Sequence, residues 1–242
     1  MALHFLVESS SKAVVGDIVS LTGAEAKHAA VVRRLRVGET VTVGDGAGVW
    51  LTGVAEEVAP ARVDVRVSDR VEQAAPSPRI VLVQALAKGD RDELAIQAAC
   101  ELGVDEVVPW QASRSISRWD GPKAVKGRER WATIVREAAK QAHRRWVPSV
   151  TPPVSTSDLV TRAAEQRVLV LDPTADVRLS EVVADGRDLV LVVGPEGGLT
   201  DDELAKLTDA GAERVLLGDT VLRTSTAGPA AIAVLSVALG RW

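Results

Sequence analysis

The chain has 242 residues, of which 46% are hydrophobic and 26% are charged. This composition excludes a largely disordered protein and provides enough residues for one large or two small domains. The sequence has no apolar run near the roughly 20 residues that a membrane helix needs, and its first residues lack the basic start and long apolar stretch of a signal peptide. We therefore expect a soluble, cytoplasmic protein that makes no contact with a membrane.

Cysteine and histidine are too few and too scattered for a metal centre. Cys100 is the only cysteine in the sequence, and His4, His28 and His143 form no pair at helical spacing. We expect neither an intramolecular disulfide nor a protein-bound metal.

The net charge of −4 is distributed unevenly along the chain. Residues 110–150 contain ten basic and three acidic side chains, whereas the segments on either side are acidic overall. A basic segment in an acidic protein is typical of a surface that binds a polyanion.

The first 72 residues predict a small antiparallel sheet or barrel. Short β-branched runs such as ETVTVGD and ARVDVRVSD alternate with glycine and aspartate turn signals. One short helix, GAEAKHAAVVRRLRVG, interrupts them and would point Arg33, Arg34 and Arg36 outward. Two prolines and no periodicity then indicate a linker over residues 73–79.

From residue 80 onward the pattern changes to alternating strands and helices. Apolar strands are predicted in RIVLVQAL, DEVVPW, RVLVLD, DLVLVVG and RVLLG. Helices are predicted over residues 90–102, over 123–143, after Thr200, and over 225–239 with Ser225 or Thr226 as the cap. This order predicts an α/β domain with a mainly parallel sheet, whose ligands bind at the carboxyl ends of the strands.

The glycine-rich segment GPEGGLTDDEL follows one of these strands. Its glycines allow a ligand to contact the backbone, and Thr200 with Glu203 forms a T-x-x-E capping box. It matches neither the dinucleotide nor the P-loop pattern, and Asp201 and Asp202 disfavour a phosphate at the helix N-terminus. The segment is either a loop for a neutral or cationic ligand, or a tight strand-to-helix turn.

Three further segments carry unusual charges. In LLGDTVLRTSTA, Arg223 stands between an apolar residue and a helix start and needs a partner, although the helix that follows reads as an ordinary core helix. AKGDRDEL and QASRSIS place Lys88, Arg91 and Arg114 in loops after strands, or simply on solvated surface. The basic helix GRERWATIVREAAKQAHRRWVP suits phosphate contact and base stacking, or is an amphipathic helix without a partner.

Together these segments resemble the ribosomal RNA uridine-N3 methyltransferases of the SPOUT class. The segments AKGDRDELAIQAACELGVDEVVPW, EAAKQAHRRWVP, VVGPEGGLTDDEL and LLGDTVLRTSTA occur in the order of the family's catalytic domain, and HAAVVRRLRVGETVTVGDGAG resembles its N-terminal PUA-like barrel. The resemblance implies a PUA-like RNA-binding β-barrel over residues 1–72 and a SPOUT domain over residues 80–242. It also implies a deep trefoil knot in the SPOUT domain, which sequence periodicity cannot reveal.

The same resemblance implies the activity: S-adenosylmethionine-dependent methylation of N3 of a uridine in small-subunit (16S) ribosomal RNA by a homodimer. The cofactor would bind in the knot. Its expected contacts are Leu171, Asp172, Pro173, Val193, Gly194, Pro195, Glu196, Gly197, Gly198, Leu217, Gly218, Leu222, Ser225, Thr226 and Ala227. The alternative is a non-catalytic RNA-binding or ribosome-assembly factor with the same fold.

Methyl transfer to an imide nitrogen builds negative charge on the base, and arginine is suited to stabilise it. We expect Arg223, and secondly Arg114, to be the catalytic residues. The expected RNA-binding residues are Arg33, Arg34, Arg36, Lys88, Arg91, Arg118, Arg144 and Arg145.

Two positions depart from the family pattern. Ser225 and Lys140 stand where family members commonly have glutamate. A general base therefore cannot be assigned to either position in this chain.

Overall fold

Alternating apolar and polar residues in the first part of the chain produce a curled five-stranded sheet. The computed structural model describes residues 2–242. The strands are β1 (Leu3–Leu6), β2 (Ile18–Thr22), β3 (Thr40–Gly44), β4 (Val49–Ala59) and β5 (Arg62–Glu72). Their order is β1-β3-β4-β5-β2, and all pairs are antiparallel except β1 with β3, which is parallel.

The predicted short helix is helix α1 (Gly23–Lys27), which continues into one π-helical turn, His28–Val32. The helix ends before Arg33, so Arg33, Arg34 and Arg36 lie after it and not on it as predicted, although all three are exposed as expected. Arg34 has a φ of 54°, in the left-handed region that a side chain rarely adopts.

Residues 139–147 belong to this first unit. The chain divides into one unit that ends at Ala75 and includes Ala139–Val147, and a second unit of Pro76–Ala138 and Pro148–Trp242. The segment is held by backbone hydrogen bonds from Gly48 N to Arg145 O (3.0 Å) and from Val147 N to Gly46 O (2.9 Å). The sequence predicts two contiguous domains and places residues 139–147 in the second one. It therefore did not predict that this segment belongs to the first unit.

A buried polar cluster lies where this segment packs in the first unit. Lys140 is only 5% exposed and forms an ion pair with Glu25 (3.1 Å). His4 stacks on Trp50 with ring centroids 4.1 Å apart, and the ring of His143 lies 5.5 Å from that of His4. Burial, and then the charges of His143 and Lys140, lower the pKa of His4 from 6.5 to about 4.

The second unit contains a six-stranded sheet that is parallel throughout. Its strand order is β11-β9-β10-β6-β7-β8. The strands are β6 (Ile80–Ala85), β7 (Glu106–Trp110), β8 (Ser149–Val150), β9 (Arg167–Leu171), β10 (Leu189–Val193) and β11 (Glu213–Val215). The central strands β6 and β10 are fully buried, which explains their unbroken apolar sequences.

The remaining helices are α2 (Arg91–Glu101), α3 (Pro122–Gln141), α4 (Thr156–Glu165), α5 (Asp201–Asp209) and α6 (Thr224–Ala238). The sequence reading missed α4, although the capping box of Ser155 and Asp158 marks its start. It also misplaced the cap of α6, because Arg223 holds that position and no side chain caps the helix. No helix formed by residues 2–242 is long and apolar enough to cross a membrane.

Glu203 connects three parts of the second unit through a carboxylate that is 1% exposed. It completes the predicted capping box of α5 by accepting from Thr200 N (3.0 Å). It also accepts from Ser113 N (2.9 Å), after β7, and from Thr156 Oγ1 (3.1 Å), at the start of α4. Burial raises the pKa of Glu203, but the hydrogen bonds from Ser113 and Thr200 outweigh burial, so its pKa is lowered overall.

The low pKa of His4 makes stability depend on pH. Because the unfolded chain takes up the proton near pH 6.5 and the folded chain near pH 4, the stabilisation is complete above pH 6.5 and is lost as the pH falls towards 4. We expect His4→Phe to remove about 3 kcal/mol of this pH dependence. Urea unfolding of both proteins at pH 7, 5 and 4 measures it, and parallel curves would contradict the assignment.

Replacing Glu203 with alanine removes a buried acceptor from several donors at once. We expect Glu203→Ala to lower the free energy of unfolding by about 2–4 kcal/mol. Asp202→Ala is the matched control, because Asp202 is exposed on the same turn and pairs only across the surface with Lys206, so it should cost less than about 0.5 kcal/mol. Equal losses in chemical unfolding would show that Glu203 has no special role.

Candidate active site

A cavity of about 690 Å³ opens at the carboxyl ends of β9, β10 and β11. Parallel strands end at the same edge of the sheet, so the loops that follow them converge. Three loops form the walls: the loop that begins at Leu171, the glycine loop after Val193, and the loop between Val215 and Thr224. The volume lies in the range of small-molecule sites.

Most of the expected cofactor contacts line this cavity. These are Leu171, Asp172, Pro173, Val193, Gly194, Pro195, Glu196, Gly198, Leu217, Gly218, Leu222 and Ala227. Gly197, Ser225 and Thr226 do not line it. Arg91, which is expected to contact RNA, also lines it. The other lining residues are not named among the expected contacts: Thr174, Leu199, Asp201, Leu204, Val215, Leu216, Thr220, Val221 and Thr224.

Thr224 was missed because its role depends on contacts distant in sequence. Its hydroxyl donates to Gly194 O (2.8 Å) instead of capping its own helix. Serine and threonine before an apolar helix are typical N-cap residues, so the local sequence predicts Ser225 or Thr226 as the cap and gives no sign of the contact made by Thr224.

The glycine loop packs closely against neighbouring side chains. A Cβ on Gly194 would lie 2.4 Å from Leu199 Cδ1, and one on Gly197 would lie 3.2 Å from Arg114 Cβ. Gly198 has a φ of 69° and closes a turn by donating from its N–H to Pro195 O (2.9 Å). The loop can therefore present backbone groups to a ligand.

Arg114 supports this loop from outside the cavity. Its Nη1 donates to Gly197 O (2.9 Å) and to Leu199 O (3.1 Å). Arg114 does not line the cavity. In this arrangement its guanidinium holds the glycine loop through two backbone carbonyls.

Glu196 joins the glycine loop to the loop before α2. Its Oε1 accepts from Arg91 Nη1 (2.7 Å) and from Lys88 N (3.1 Å). Burial raises the pKa of Glu196, but the hydrogen bonds, chiefly from Arg91, lower it overall. Arg91, an expected RNA contact, is thus engaged at the cavity wall.

The carboxylate of Asp172 is bonded within its own loop and to β11. Its oxygens accept from Thr174 N (2.8 Å), Thr174 Oγ1 (2.8 Å) and Arg214 Nε (2.7 Å). Burial raises the pKa of Asp172, while these donors lower it overall. The residue lines the cavity but serves as a loop anchor.

Arg223 lines the cavity with an exposed side chain. Its carbonyl accepts from Thr226 N (2.8 Å) and Ala227 N (2.9 Å), which fixes its backbone at the start of α6. Among residues 2–242, no group forms a hydrogen bond or an ion pair with its guanidinium. The partner that the sequence reading requires for Arg223 is therefore not supplied by these residues.

The other expected RNA contacts lie in both units. Arg33, Arg34 and Arg36 are exposed in the first unit, where Arg144 is half-buried. Arg145 lies over the Trp50 ring, 5.8 Å from its centroid, and donates to Gln73 Oε1 (3.3 Å). In the second unit Lys88 and Arg118 are exposed, and Arg118 donates to Ser113 O (3.1 Å).

Neither residue that departs from the resembled family's pattern lines the cavity. Lys140 is paired with Glu25 in the first unit, and Ser225 is half-buried in the first turn of α6. Loss of glutamate at these positions leaves the lining of the cavity unchanged.

Comparison with known proteins identifies the family. Residues 74–236 match an RNA methyltransferase domain, and residues 21–67 match an RNA methyltransferase PUA domain. The ribosomal RNA small subunit methyltransferase E of Mycobacterium bovis is 44% identical over 94% of this chain and 89% of its own length. The enzyme of the same name from Bacillus subtilis is 30% identical over 98% of this chain and 96% of its own length.

Solved structures of similar proteins match this fold over nearly the whole chain. The ribosomal RNA small subunit methyltransferase E of Neisseria gonorrhoeae, bound to S-adenosyl methionine, has a TM-score of 0.87 at 29% identity and covers 98% of both chains. A putative methyltransferase of Legionella pneumophila, in complex with the same cofactor, has a TM-score of 0.85 at 30% identity and covers 98% of this chain and 97% of its own. The α/β fold with an N-terminal PUA-like domain is therefore confirmed, and this chain belongs to the ribosomal RNA small subunit methyltransferase E family.

Proposed function

We propose that the protein uses S-adenosylmethionine to methylate N3 of a uridine in the 16S RNA of the small ribosomal subunit. The observation that carries the proposal is the 690 Å³ cavity formed by three loops at the carboxyl edge of the parallel sheet. Relatives of the same overall structure hold S-adenosylmethionine. Family membership supports an RNA substrate.

The residues of the cavity fit this cofactor. Apolar side chains such as Leu171, Val193 and Leu217 suit an adenine ring, and glycine backbone offers hydrogen bonds without bulk. The carboxylate of Asp201 at the wall, in the first turn of α5, disfavours a phosphate. When bound, the cofactor supplies an electrophilic methyl group on a sulfonium.

Arg223 is the proposed catalytic residue. Methylation at N3 requires the uracil imide to lose its proton to solvent water, which leaves negative charge on the flanking carbonyl oxygens. A guanidinium in the cavity wall without a protein partner among residues 2–242 can donate to such an oxygen, and its backbone is already fixed by the start of α6. Arg114, the second candidate, would act through the glycine loop that it holds.

RNA binding completes the proposal. Arg33, Arg34 and Arg36 project from the first unit and would contact phosphates without reading sequence. Arg144, Arg145, Lys88 and Arg118 add further positive charge. A homodimer and a deep trefoil knot around the cavity, both implied by the family resemblance, are parts of the same proposal.

The activity is tested by identifying the methylated nucleoside. We expect small ribosomal subunits from cells lacking the enzyme to take up label from radiolabelled S-adenosylmethionine, and digestion to yield 3-methyluridine. Label in another nucleoside would contradict the N3 assignment. Cofactor binding without label in any RNA preparation would contradict the substrate, and absence of both would favour the non-catalytic RNA-binding alternative.

Arg223→Ala tests the catalytic residue. We expect turnover to fall by about 10²–10³-fold while cofactor affinity stays nearly unchanged, as for removal of an oxyanion donor. Single-turnover methylation and calorimetric titration of the cofactor measure the two quantities. Arg187→Ala is the control, because Arg187 is exposed in the same unit, pairs with Asp185 and lies outside the cavity lining. Equal loss of turnover and affinity in Arg223→Ala would make Arg223 a binding residue instead.

A further inference from the structure

Gln84 is an amide buried at the end of an apolar strand. It lies in the IVLVQA sequence of β6, is 0% exposed and pairs in register with Val193 of β10. Its Nε2 donates to Ala85 O (3.1 Å) and to Thr224 Oγ1 (2.9 Å). These two acceptors determine the orientation of the amide.

Thr224 links Gln84 to the glycine loop by a second hydrogen bond. A hydroxyl has one proton, and because Thr224 Oγ1 accepts from Gln84, that proton is directed to Gly194 O at 2.8 Å. Gly194 and Thr224 both line the cavity, whereas Gln84 does not. The chain of hydrogen bonds from Gln84 through Thr224 to Gly194 therefore joins the buried strand β6 to two residues of the cavity wall.

The surrounding packing leaves this chain little freedom. A Cβ on Gly228, one turn after Thr224, would lie 3.1 Å from Leu82 Cδ1 and 3.5 Å from Val193 Cγ2. Helix α6 thus packs closely on β6 and β10. Apolar packing has no directional preference, whereas hydrogen bonds have one. The hydrogen bonds from Gln84 to Thr224 and from Thr224 to Gly194 therefore set the position of the loop backbone beside this helix.

We propose that Gln84 is a positioning residue of the cofactor site, which holds the Gly194 carbonyl and the Thr224 end of α6 in the geometry that binds S-adenosylmethionine. This inference rests on the proposed function. Gln84 touches neither cofactor nor substrate in this scheme and acts through the hydroxyl of Thr224.

The role predicts an effect on affinity more than on turnover. Arg223 is fixed separately, through hydrogen bonds from Thr226 N and Ala227 N to its carbonyl, so its function should survive loss of the Gln84 contact. We expect Gln84→Met, which keeps the volume and removes the donors, to raise the KM and Kd for S-adenosylmethionine about 10-fold. The kcat at saturating cofactor should change less than about threefold.

A double-mutant cycle separates this role from general stability. Thr224→Val should weaken cofactor binding to a similar extent, Thr224→Ser should retain wild-type affinity, and Gln84→Met with Thr224→Val should be no worse than Thr224→Val alone, because both changes break one chain. Ser236→Ala is the matched control: it removes a hydroxyl that is 0% exposed from the same helix, and this hydroxyl has no hydrogen-bond partner among residues 2–242. Thermal unfolding of each variant accompanies the titrations.

Wild-type cofactor binding is measured first. If the wild type binds S-adenosylmethionine and both Gln84→Met and Thr224→Val bind it equally well, the positioning role is overturned while the proposed function stands. Additive losses in the double variant, or failure of Thr224→Ser to bind, would also overturn it. If the wild type binds no S-adenosylmethionine, the proposed function fails and this inference fails with it.

Discussion

The parallel pairing of β10 between β6 and β9 is the constraint on which the site depends. Parallel strands must all end at one edge, and their side chains are buried on both faces of the sheet. The polar and glycine-rich residues that follow each strand are therefore brought together without any local sequence relation. The cavity is the space between three such loops, and its shape is set by how firmly each loop is held.

Ionised and polar side chains do most of this holding. Asp172 is bonded by Thr174 and Arg214, Glu196 by Arg91, and the carbonyls of the glycine loop by Arg114. Each group is satisfied by a protein partner and therefore rigidifies the loop that it serves. Arg223 differs from all of them, because no group among residues 2–242 pairs with its guanidinium. A preorganised site needs such a contrast between groups that hold the loops and groups left for a ligand.

In the first unit, buried polar side chains hold a chain segment and not a ligand site. The buried Lys140–Glu25 pair and the contact of the His143 ring with His4 hold residues 139–147, a segment that local sequence assigns to the second domain. Because burial disfavours the charged imidazole, this cluster favours a neutral His4. The lysine at position 140 is therefore explained by its partner Glu25, and not by the chemistry of the cavity.

The sequence by itself determined the two-part α/β organisation and the capping box of Thr200 and Glu203, because hydrophobic periodicity and local turn chemistry act over a few residues. The three loops of the candidate site were expected from the resemblance of their segments to a known family, and not from periodicity. Only the tertiary structure decided that Arg114 donates to the carbonyls of the glycine loop, that the Thr224 hydroxyl donates to Gly194 and does not cap its own helix, and that Gln84 donates to Thr224. These contacts join residues 30 to 140 positions apart, and hydrogen bonds between distant segments leave no periodic signal in the chain.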